Sequence, residues 1–198
     1  TFTFTVPTLL PQQWYHLAVT RNTANVTDVW LNGNKSSTGD VTISTNYNTG
    51  PSVYFGYAAG TGSTGYFQGY LSNFRAVVGN AVYTSNFTPS TTSLTAITGT
   101  NLLSAQSSII VDKSGVQTIQ QFSTLPPPYT VPFSPFAPTY SYSTANNGGS
   151  AYFNGNANNN VSFTGTSLYL GSDFTVEGWY YAANSSVFSG TIRTLIDL

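Results

Sequence analysis

The fold is decided by two neighbouring segments, WYHLAVTR at Trp14–Arg21 and VTDVWLNG at 26–33. In the first segment Tyr15, Leu17 and Val19 point to one side and the intervening residues to the other, which is the two-residue period of a β-strand. The second segment ends in Asn-Gly, and both residues tolerate the positive φ of a type I′ turn. The pattern predicts two strands and a hairpin turn after the second.

Short alternating runs recur along the rest of the chain between clusters of Gly, Asn, Pro and Ser, and helical periodicity is nearly absent. Many short strands separated by turn signals are typical of a β-sandwich or barrel. Further strands are predicted at 1–6, 52–57, 70–78, 151–154, 160–163, 174–181 and 191–198.

Charged residues are scarce, because Asp, Glu, Lys and Arg make up 6% of the 198 residues, against about 25% in typical globular proteins. The five cations form no basic cluster, so nucleic-acid binding is not expected. A nearly neutral surface gives weak self-repulsion and favours association. Surfaces rich in hydroxyl and amide groups are common in extracellular fibres, adhesins and phage appendages, and they also suit sugar binding. The cations are Arg21, Lys35, Arg75, Lys113 and Arg193.

Cysteine is absent, so neither disulfides nor thiol chemistry can contribute. No apolar run approaches the roughly 20 residues that an α-helix needs to cross a bilayer, and no membrane span is predicted. The chain does not begin with methionine, which indicates a processed product or an excised portion of a longer protein.

The middle of the chain, at 106–150, is rich in proline and interleaved aromatic residues. Proline removes a backbone donor and fixes φ, which stiffens an extended segment and keeps it out of central strands. The interleaved aromatics indicate a connector that packs along a surface. A polyproline ligand is the alternative interpretation.

Three stretches resemble the laminin-G-like, concanavalin A-like lectin/glucanase superfamily, in the version found in phage tail and other viral or bacterial surface proteins. The first is the pair quoted above, which is similar to the family pattern W-x-H-x-A-x-x-R followed by v-x-v-N-G. The second is GYLSNFR at 69–75 with AVYTSNFTP at 81–89, which is similar to the closing strand and tail. The third is GSAYFNG at 149–155 with FTVEGW at 174–179, which is similar to the opening strands.

The resemblance implies an all-β, antiparallel jelly-roll β-sandwich that is split or circularly permuted, because the closing strands precede the opening ones. Residues 1–105 then form the C-terminal half of a sandwich, 106–150 the connector, and 151–198 an N-terminal half. Three arrangements stay open: a tandem array cut at an arbitrary point, units that complete one another across subunits, and halves that pair within one chain. Each would satisfy strand edges that otherwise recruit other strands.

Catalysis is not expected. Glycoside hydrolysis needs two carboxyl groups about 5–9.5 Å apart, whereas Asp173, the acid nearest to the single Glu177, would lie about 13 Å away along a strand. We expect Glu177 to bond to loop backbone or a neighbouring strand, and the single His16 to be a packed structural residue. One histidine and no cysteine predict no transition-metal site, and no cofactor is expected. The resemblance allows calcium, for which Asp173, Asp197 or Asp40 could serve.

Sugar recognition needs an exposed aromatic platform among amide and hydroxyl groups. The candidate aromatics near loop ends are Trp30, Tyr47, Tyr54, Tyr57 and Tyr66. Five Asn-x-Ser/Thr sequons, which would be surface glycosylation sites, begin at Asn25, Asn34, Asn86, Asn160 and Asn184.

The predicted function is that of a structural protein of the extracellular space, cell surface or virion. It would self-associate into a fibre or tandem array through laminin-G-like units that complete one another across subunits. The alternative is a carbohydrate-binding adhesion or receptor-recognition module with glycan partners.

Overall fold

The computed structural model is all-β in the residues that it describes. These are residues 5, 7–38, 40–43, 47–48, 52–56, 66–106, 110–121, 130–131, 135–136, 148–156, 159–165, 169–171, 173–184 and 196–197. The strands within them are β1 (Trp14–Arg21), β2 (Val26–Leu31), β3 (Asn34–Lys35), β4 (Val41–Thr42), β5 (Tyr47–Asn48), β6 (Ser52–Phe55), β7 (Gln68–Val78), β8 (Thr100–Ser104), β9 (Gln117–Gln121), β10 (Thr130–Val131), β11 (Ser150–Asn154), β12 (Val161–Gly165), β13 (Tyr169–Leu170), β14 (Phe174–Ala182) and β15 (Ile196–Asp197).

Most of these strands belong to two antiparallel sheets. The main sheet has the order β10-β11-β7-β14-β1-β2-β3, with β4 also paired to β2 and β8 to β7. The second sheet has the order β15-β6-β12-β9, and β13 pairs with β5 separately. The antiparallel all-β prediction is confirmed. In the part of the chain described, no helix is long and apolar enough to cross a membrane.

The two larger sheets pack face to face and form a β-sandwich. The ring of Phe55 on β6 lies 4.6 Å from that of Phe74 on β7, centroid to centroid, and 4.8 Å from that of Phe163 on β12. All three rings are buried. Burying a phenylalanine side chain stabilises a fold by about 1.5–3 kcal/mol, so this aromatic layer is a major contribution to the core.

The predicted hairpin turn is present. Asn32 has a φ of 49° and Gly33 a φ of 78°, which are the positive values that a type I′ turn requires. The turn joins β2 to the short β3, with Leu31 opposite Asn34. A Cβ on Gly33 would overlap the carbonyl oxygen of Phe87, and the amide of Phe87 donates to the carbonyl of Gly33 at 3.0 Å. Glycine is therefore required by both the turn and its close neighbour.

The front and back portions of the chain pair with each other. β14 lies between β1 and β7, with Trp14 opposite Tyr181 at one end of the β1 pairing and Arg21 opposite Phe174 at the other. β11 also pairs with β7, and β12 with β6. These strands therefore have partners within one chain. Completion of such units across subunits stays a prediction.

The proline-rich middle segment supplies edge strands. β9 is the outermost strand of the second sheet and β10 of the main sheet as described. Prolines at 126–128 and 132 lie between and after these strands, and proline, which offers no backbone donor, is found at sheet edges and strand ends. Phe136 packs against Trp179 of β14 with its ring centroid 5.6 Å away and nearly perpendicular. Of the predicted strand 1–6, Thr5 alone is described and it is not in a strand; of the predicted strand 191–198, residues 191–195 and 198 lie outside the described residues.

Candidate functional site

Three strands bring charged residues together inside the main sheet. β14 places Glu177 directly opposite Arg75 on β7, and a register shift between Glu177 and Trp179 accompanies this pairing. On the other side of β14, His16 of β1 stands opposite Trp179. Tyr83, which follows β7, completes the group. We call Glu177, Arg75, His16 and Tyr83 the Glu177 cluster.

Every member of the Glu177 cluster contacts the carboxylate. Arg75 Nε and Nη2 donate to Glu177 Oε1 at 2.9 and 2.5 Å. Tyr83 donates its hydroxyl to Oε2 at 2.7 Å, and His16 Nε2 lies 3.2 Å from the same oxygen. Because a carboxylate only accepts, this ring nitrogen carries the proton. Arg75 also donates through Nη1 to the carbonyl of Thr95 at 2.9 Å.

The surroundings of Glu177 keep it ionised. Burial acts to raise its pKa, but the hydrogen bond from His16, the charge of Arg75 and the hydrogen bond from Tyr83 together lower the pKa below its usual value. Burial and the charge of Glu177 raise the pKa of Tyr83, so its hydroxyl stays protonated as a donor. The cluster is thus a stable ion pair with two further donors.

The Glu177 cluster has a structural role, because it links β14 to β1 and β7. Glu177 is 0% exposed and His16 is 1% exposed, so a substrate in solvent does not reach either side chain. The carboxylate is already occupied by four donor groups, and the cluster contains no second carboxylate for acid–base chemistry. The predictions that Glu177 bonds to a neighbouring strand and that His16 is packed structurally are confirmed.

A groove of about 540 Å³ opens beside the hairpin turn, at the edge of the main sheet. Its lining combines the ring of Tyr15 with amide and hydroxyl side chains. We call it the hairpin groove. Its lining residues are Thr5, Pro7, Thr8, Tyr15, Leu31, Asn32, Asn34, Lys35, Ser36 and Ser37.

Hydrogen bonds hold the walls of the hairpin groove in place. Ser36 Oγ donates to the carbonyl of Thr5 at 2.9 Å, which ties the chain before β1 to the chain after β3. The backbone amide of His16 donates to Asn32 Oδ1 at 2.9 Å, and the amide of Leu10 donates to the hydroxyl of Tyr15 at 2.9 Å. The groove is therefore formed before any ligand binds, which lowers the ordering cost of binding.

Lys35 stands opposite Trp30 of β2, and its ammonium group is paired twice. Lys35 Nζ lies 2.8 Å from Asp28 Oδ1 and also contacts Asp40, and it lies 5.8 Å from the centre of the Trp30 ring. We call Lys35, Asp28 and Asp40 the Lys35 triad. Burial acts to lower the pKa of Lys35, but the hydrogen bonds with Asp28 and Asp40 raise it; the hydrogen bond with Lys35 and its charge lower the pKa of Asp40.

Of the aromatic residues predicted to contact sugar, those whose side chains the structure describes do not line the hairpin groove. Trp30 is 0% exposed and donates Nε1–H to Thr20 Oγ1 at 2.9 Å, so it does not fit the exposed platform predicted for it. Trp30 is buried because the ring of Phe87 packs against it on that face of β2. Tyr54 and Tyr66 are half-buried elsewhere. The side chain of Tyr47 and all of Tyr57 lie outside the described residues.

The sequons differ in exposure. Asn34 and Asn86 are exposed, Asn25 and Asn184 are half-buried, and Asn160 is buried at 6% exposure. Asn160 is therefore not the surface site predicted, because it stands beside β12 at the entry to the core. Asn34 lines the hairpin groove, and Asn86 Oδ1 accepts from the backbone amide of Lys35 at 3.0 Å.

Metal binding has little support in the described residues. No group of three or more His, Cys, Asp or Glu side chains in that part of the chain could hold an ion. Of the predicted calcium ligands, Asp40 is paired with Lys35, and the side chain of Asp197 lies outside the described residues. Calcium binding through Asp173 and its neighbours stays a prediction.

The comparison with protein families bears directly on the strands that build both sites. Residues 1–80 match the family model Laminin_G_3, described as the concanavalin A-like lectin/glucanases superfamily. The chain is similar to that superfamily over about its first two fifths. The resemblance first read from the hairpin is confirmed, and the matched laminin-G-like residues include His16, Arg75 and every residue of the hairpin groove. No curated protein matches the chain, and no solved structure matches it either.

The hairpin groove was not predicted from the sequence. A signal for it exists: the segment from Asn32 to Ser37 carries two amides and two hydroxyls in and directly after the hairpin turn. The partner wall, around Thr5 to Thr8, is not adjacent in the hairpin, and only the folded chain brings it near.

Proposed function

We propose that the chain is a non-catalytic recognition module that binds carbohydrate in the hairpin groove. The observation that carries this proposal is the composition of the groove: one tyrosine ring beside amide and hydroxyl groups that both donate and accept. A sugar presents an apolar C–H face, which packs on an aromatic ring, and hydroxyls that need paired donors and acceptors. The volume of about 540 Å³ lies within the range typical of small-ligand sites.

The superfamily supports the same class of function. Laminin-G-like domains are generally non-catalytic binding modules and are typically extracellular or surface-associated. The saturated, buried carboxylate of the Glu177 cluster fits that class, since the one glutamate serves the sheet. Adhesion or receptor recognition at a cell or virion surface follows as the setting in which such a module would act.

For the fibre-forming role predicted from the sequence, the remaining support is the low charge of the chain. A nearly uncharged surface favours self-association, but the main strands already have partners within the chain. Assembly into a fibre would need another interface. Sedimentation and negative-stain microscopy of the full chain test this: polymers without glycan binding would favour the structural role over recognition.

The test of recognition is a glycan array with the full chain, followed by titration of the best ligand. Tyr15→Ala removes the ring and Asn34→Ala removes an exposed amide of the groove. Each should weaken binding by about five- to thirtyfold, because one or two ligand contacts of about 1 kcal/mol each are lost.

The matched control is Asn156→Ala, which truncates another exposed asparagine away from the groove lining. It should bind like the unchanged chain. Binding that persists unchanged in both groove variants, or the absence of any glycan ligand, would overturn the proposal.

A further inference from the structure

The two asparagines of the hairpin groove support a conclusion about the class of sugar that it binds, which rests on the proposed function. We infer that the groove recognises N-acetylated sugars, with Asn32 and Asn34 bonding to the acetamido group. The inference follows from the way in which the fold orients both side-chain amides, so that one offers a ligand a donor and the other an acceptor.

The donor comes from Asn32, which lies in the hairpin turn and is exposed. Its Oδ1 accepts from the backbone amide of His16 at 2.9 Å, so the side-chain amide is held in one orientation. Among the residues that the structure describes, none accepts a hydrogen bond from Asn32 Nδ2. Because an amide nitrogen only donates, Asn32 offers a ligand an N–H group in a fixed position.

The acceptor comes from Asn34 at the start of β3, which is also exposed. Its Nδ2 donates to the backbone carbonyl of Asn32 at 3.4 Å, and this contact orients the amide. Within the described part of the chain, no group donates to Asn34 Oδ1. Asn34 stands opposite Leu31 in the pairing of β2 with β3, so the two side chains lie on the same face of the sheet.

The apolar part of the groove lies on that face too. Leu17 stands opposite Leu31, and Tyr15 precedes Leu17 by two residues, so the side chains of Tyr15 and Leu31 point to one side of the main sheet. Pro7 lines the groove with them. The hydroxyl of Tyr15 already bonds to the backbone amide of Leu10 at 2.9 Å, so the ring is what Tyr15 offers a ligand.

An acetamido group matches this combination of groups. Its carbonyl accepts, its N–H donates and its methyl is apolar, so it can use Asn32, Asn34 and the side chains of Leu31 and Pro7. A hydroxyl at the same position of the sugar is shorter and carries no apolar group. It would leave more of the polar groups of the groove without partners when a ligand displaces their water, and each unmade hydrogen bond weakens binding.

The test uses matched oligosaccharide pairs that differ only at carbon 2 of the sugar, with an acetamido group in one member and a hydroxyl in the other. Pairs from both the gluco and the galacto series are titrated into the full chain. The acetamido member should bind roughly tenfold more tightly, because it gains one hydrogen bond and the packing of a methyl group.

Asn32→Asp ties the preference to the proposed donor. Aspartate tolerates the positive φ of the turn and keeps an oxygen for the backbone amide of His16, but it replaces the N–H donor with an acceptor. The variant should keep its thermal unfolding midpoint and lose most of the preference. Asn34→Asp adds the same charge two residues away and keeps the acceptor, so it should retain the preference. Asn156→Asp, at an exposed asparagine outside the groove lining, controls for charge alone.

The outcomes separate the two proposals. If both members of each pair bind equally and Tyr15→Ala weakens both, the inference on the acetamido group is overturned while the proposed function stands. A preference that survives Asn32→Asp, or that all three aspartate variants reduce equally, also overturns the inference. If no glycan of either kind binds, the proposed function fails, and the inference fails with it.

Discussion

The Glu177 cluster and the Lys35 triad contain the same chemical groups, a cation held by carboxylate oxygen, but they differ in burial. Glu177 is 0% exposed and Arg75 is 6% exposed, whereas the side chain of Asp40 is 65% exposed. The comparison shows that depth decides the role of an ion pair. In the interior the charges fix how strands meet, and at the surface water screens them so that they contribute little to stability.

The Glu177 cluster joins parts of the chain that are far apart in sequence. His16 and Arg75 come from the front portion, and Glu177 comes from β14 in the back portion. Two ions lose their hydration when they are buried, so such a pair contributes little net stability compared with apolar residues of the same shape. Losing one partner is costly, however, because the other charge remains buried. A β14 shifted along its neighbours would separate these charges, so the cluster makes any other strand register less stable than the observed one.

The largest effect is expected from Arg75→Met, which leaves Glu177 buried beside neutral donors. We expect a loss of about 3–5 kcal/mol in the free energy of unfolding, measured by chemical denaturation. Lys113→Met, at an exposed cation, is the control and should change stability little.

If Arg75→Met does not fold, the double variant Arg75→Met/Glu177→Leu keeps the prediction testable. Removing both charges leaves no buried ion, so most of the lost stability should return. A double variant that is no more stable than the single one would contradict the structural account of the Glu177 cluster.

Acid should weaken the fold through Glu177. Its pKa is lowered in the folded chain, so the unfolded chain binds more protons there as the pH falls. The stability that it contributes is fully present above its ordinary carboxyl value of 4.5 and is lost as the pH drops through the lowered folded value. Unfolding midpoints measured from pH 7 downwards should show this loss. Glu177→Gln should be less stable at pH 7 and less sensitive to acid, and equal acid sensitivity would count against the assignment.

A smaller loss is expected from Tyr83→Phe, which removes one donor from Glu177 Oε2 and keeps the ring. A hydrogen bond to a charged group is worth about 1.5–3 kcal/mol. Tyr15→Phe is the matched control, because the hydroxyl of Tyr15 bonds with Leu10 and Gln13 in an exposed setting. Equal losses in the free energy of unfolding for both variants would mean that burial does not make the Tyr83 hydrogen bond stronger than the exposed one of Tyr15.

The smallest effect is expected from Asp40→Asn. The carboxylate is exposed and its pairing with Lys35 is screened by water and salt, so the thermal unfolding midpoint should not change measurably. A large loss of stability would mean that the Lys35 triad is a structural pair like the buried one.

Local pattern predicted the strands whose residues alternate strongly. The first strand was predicted at its observed bounds, β2 was predicted from its apolar residues and the Asn-Gly turn, and β14 was predicted to within one residue. Strands such as β8 and β9, with the sequences TNLLS and QTIQQ, were missed because their polar residues give weak alternation. These strands exist because a neighbour offers an unpaired edge, and that information is not local.

The sites were harder to predict than the strands. His16 was recognised as structural, but its contact with Glu177 spans 161 residues along the chain and depends on the position of β14. Trp30 was expected at a surface, although the packing of Phe87 on its ring, with centroids 5.9 Å apart, helps to bury it. The groove needs two segments separated by β1 and β2, so neither segment reveals it alone.

The central position of β14 also has a consequence for how the chain reaches its fold. β7 ends at Val78 and its neighbour β14 begins at Phe174, so the middle of the main sheet is completed only by a late contact between distant segments. Folds dominated by such pairings have high contact order and acquire structure slowly, since loop-closure entropy must be overcome first. During synthesis on the ribosome, β1 and β7 would each have one edge with unpaired backbone groups until β14 has been synthesised. A nearly uncharged chain provides little electrostatic protection against aggregation during that interval.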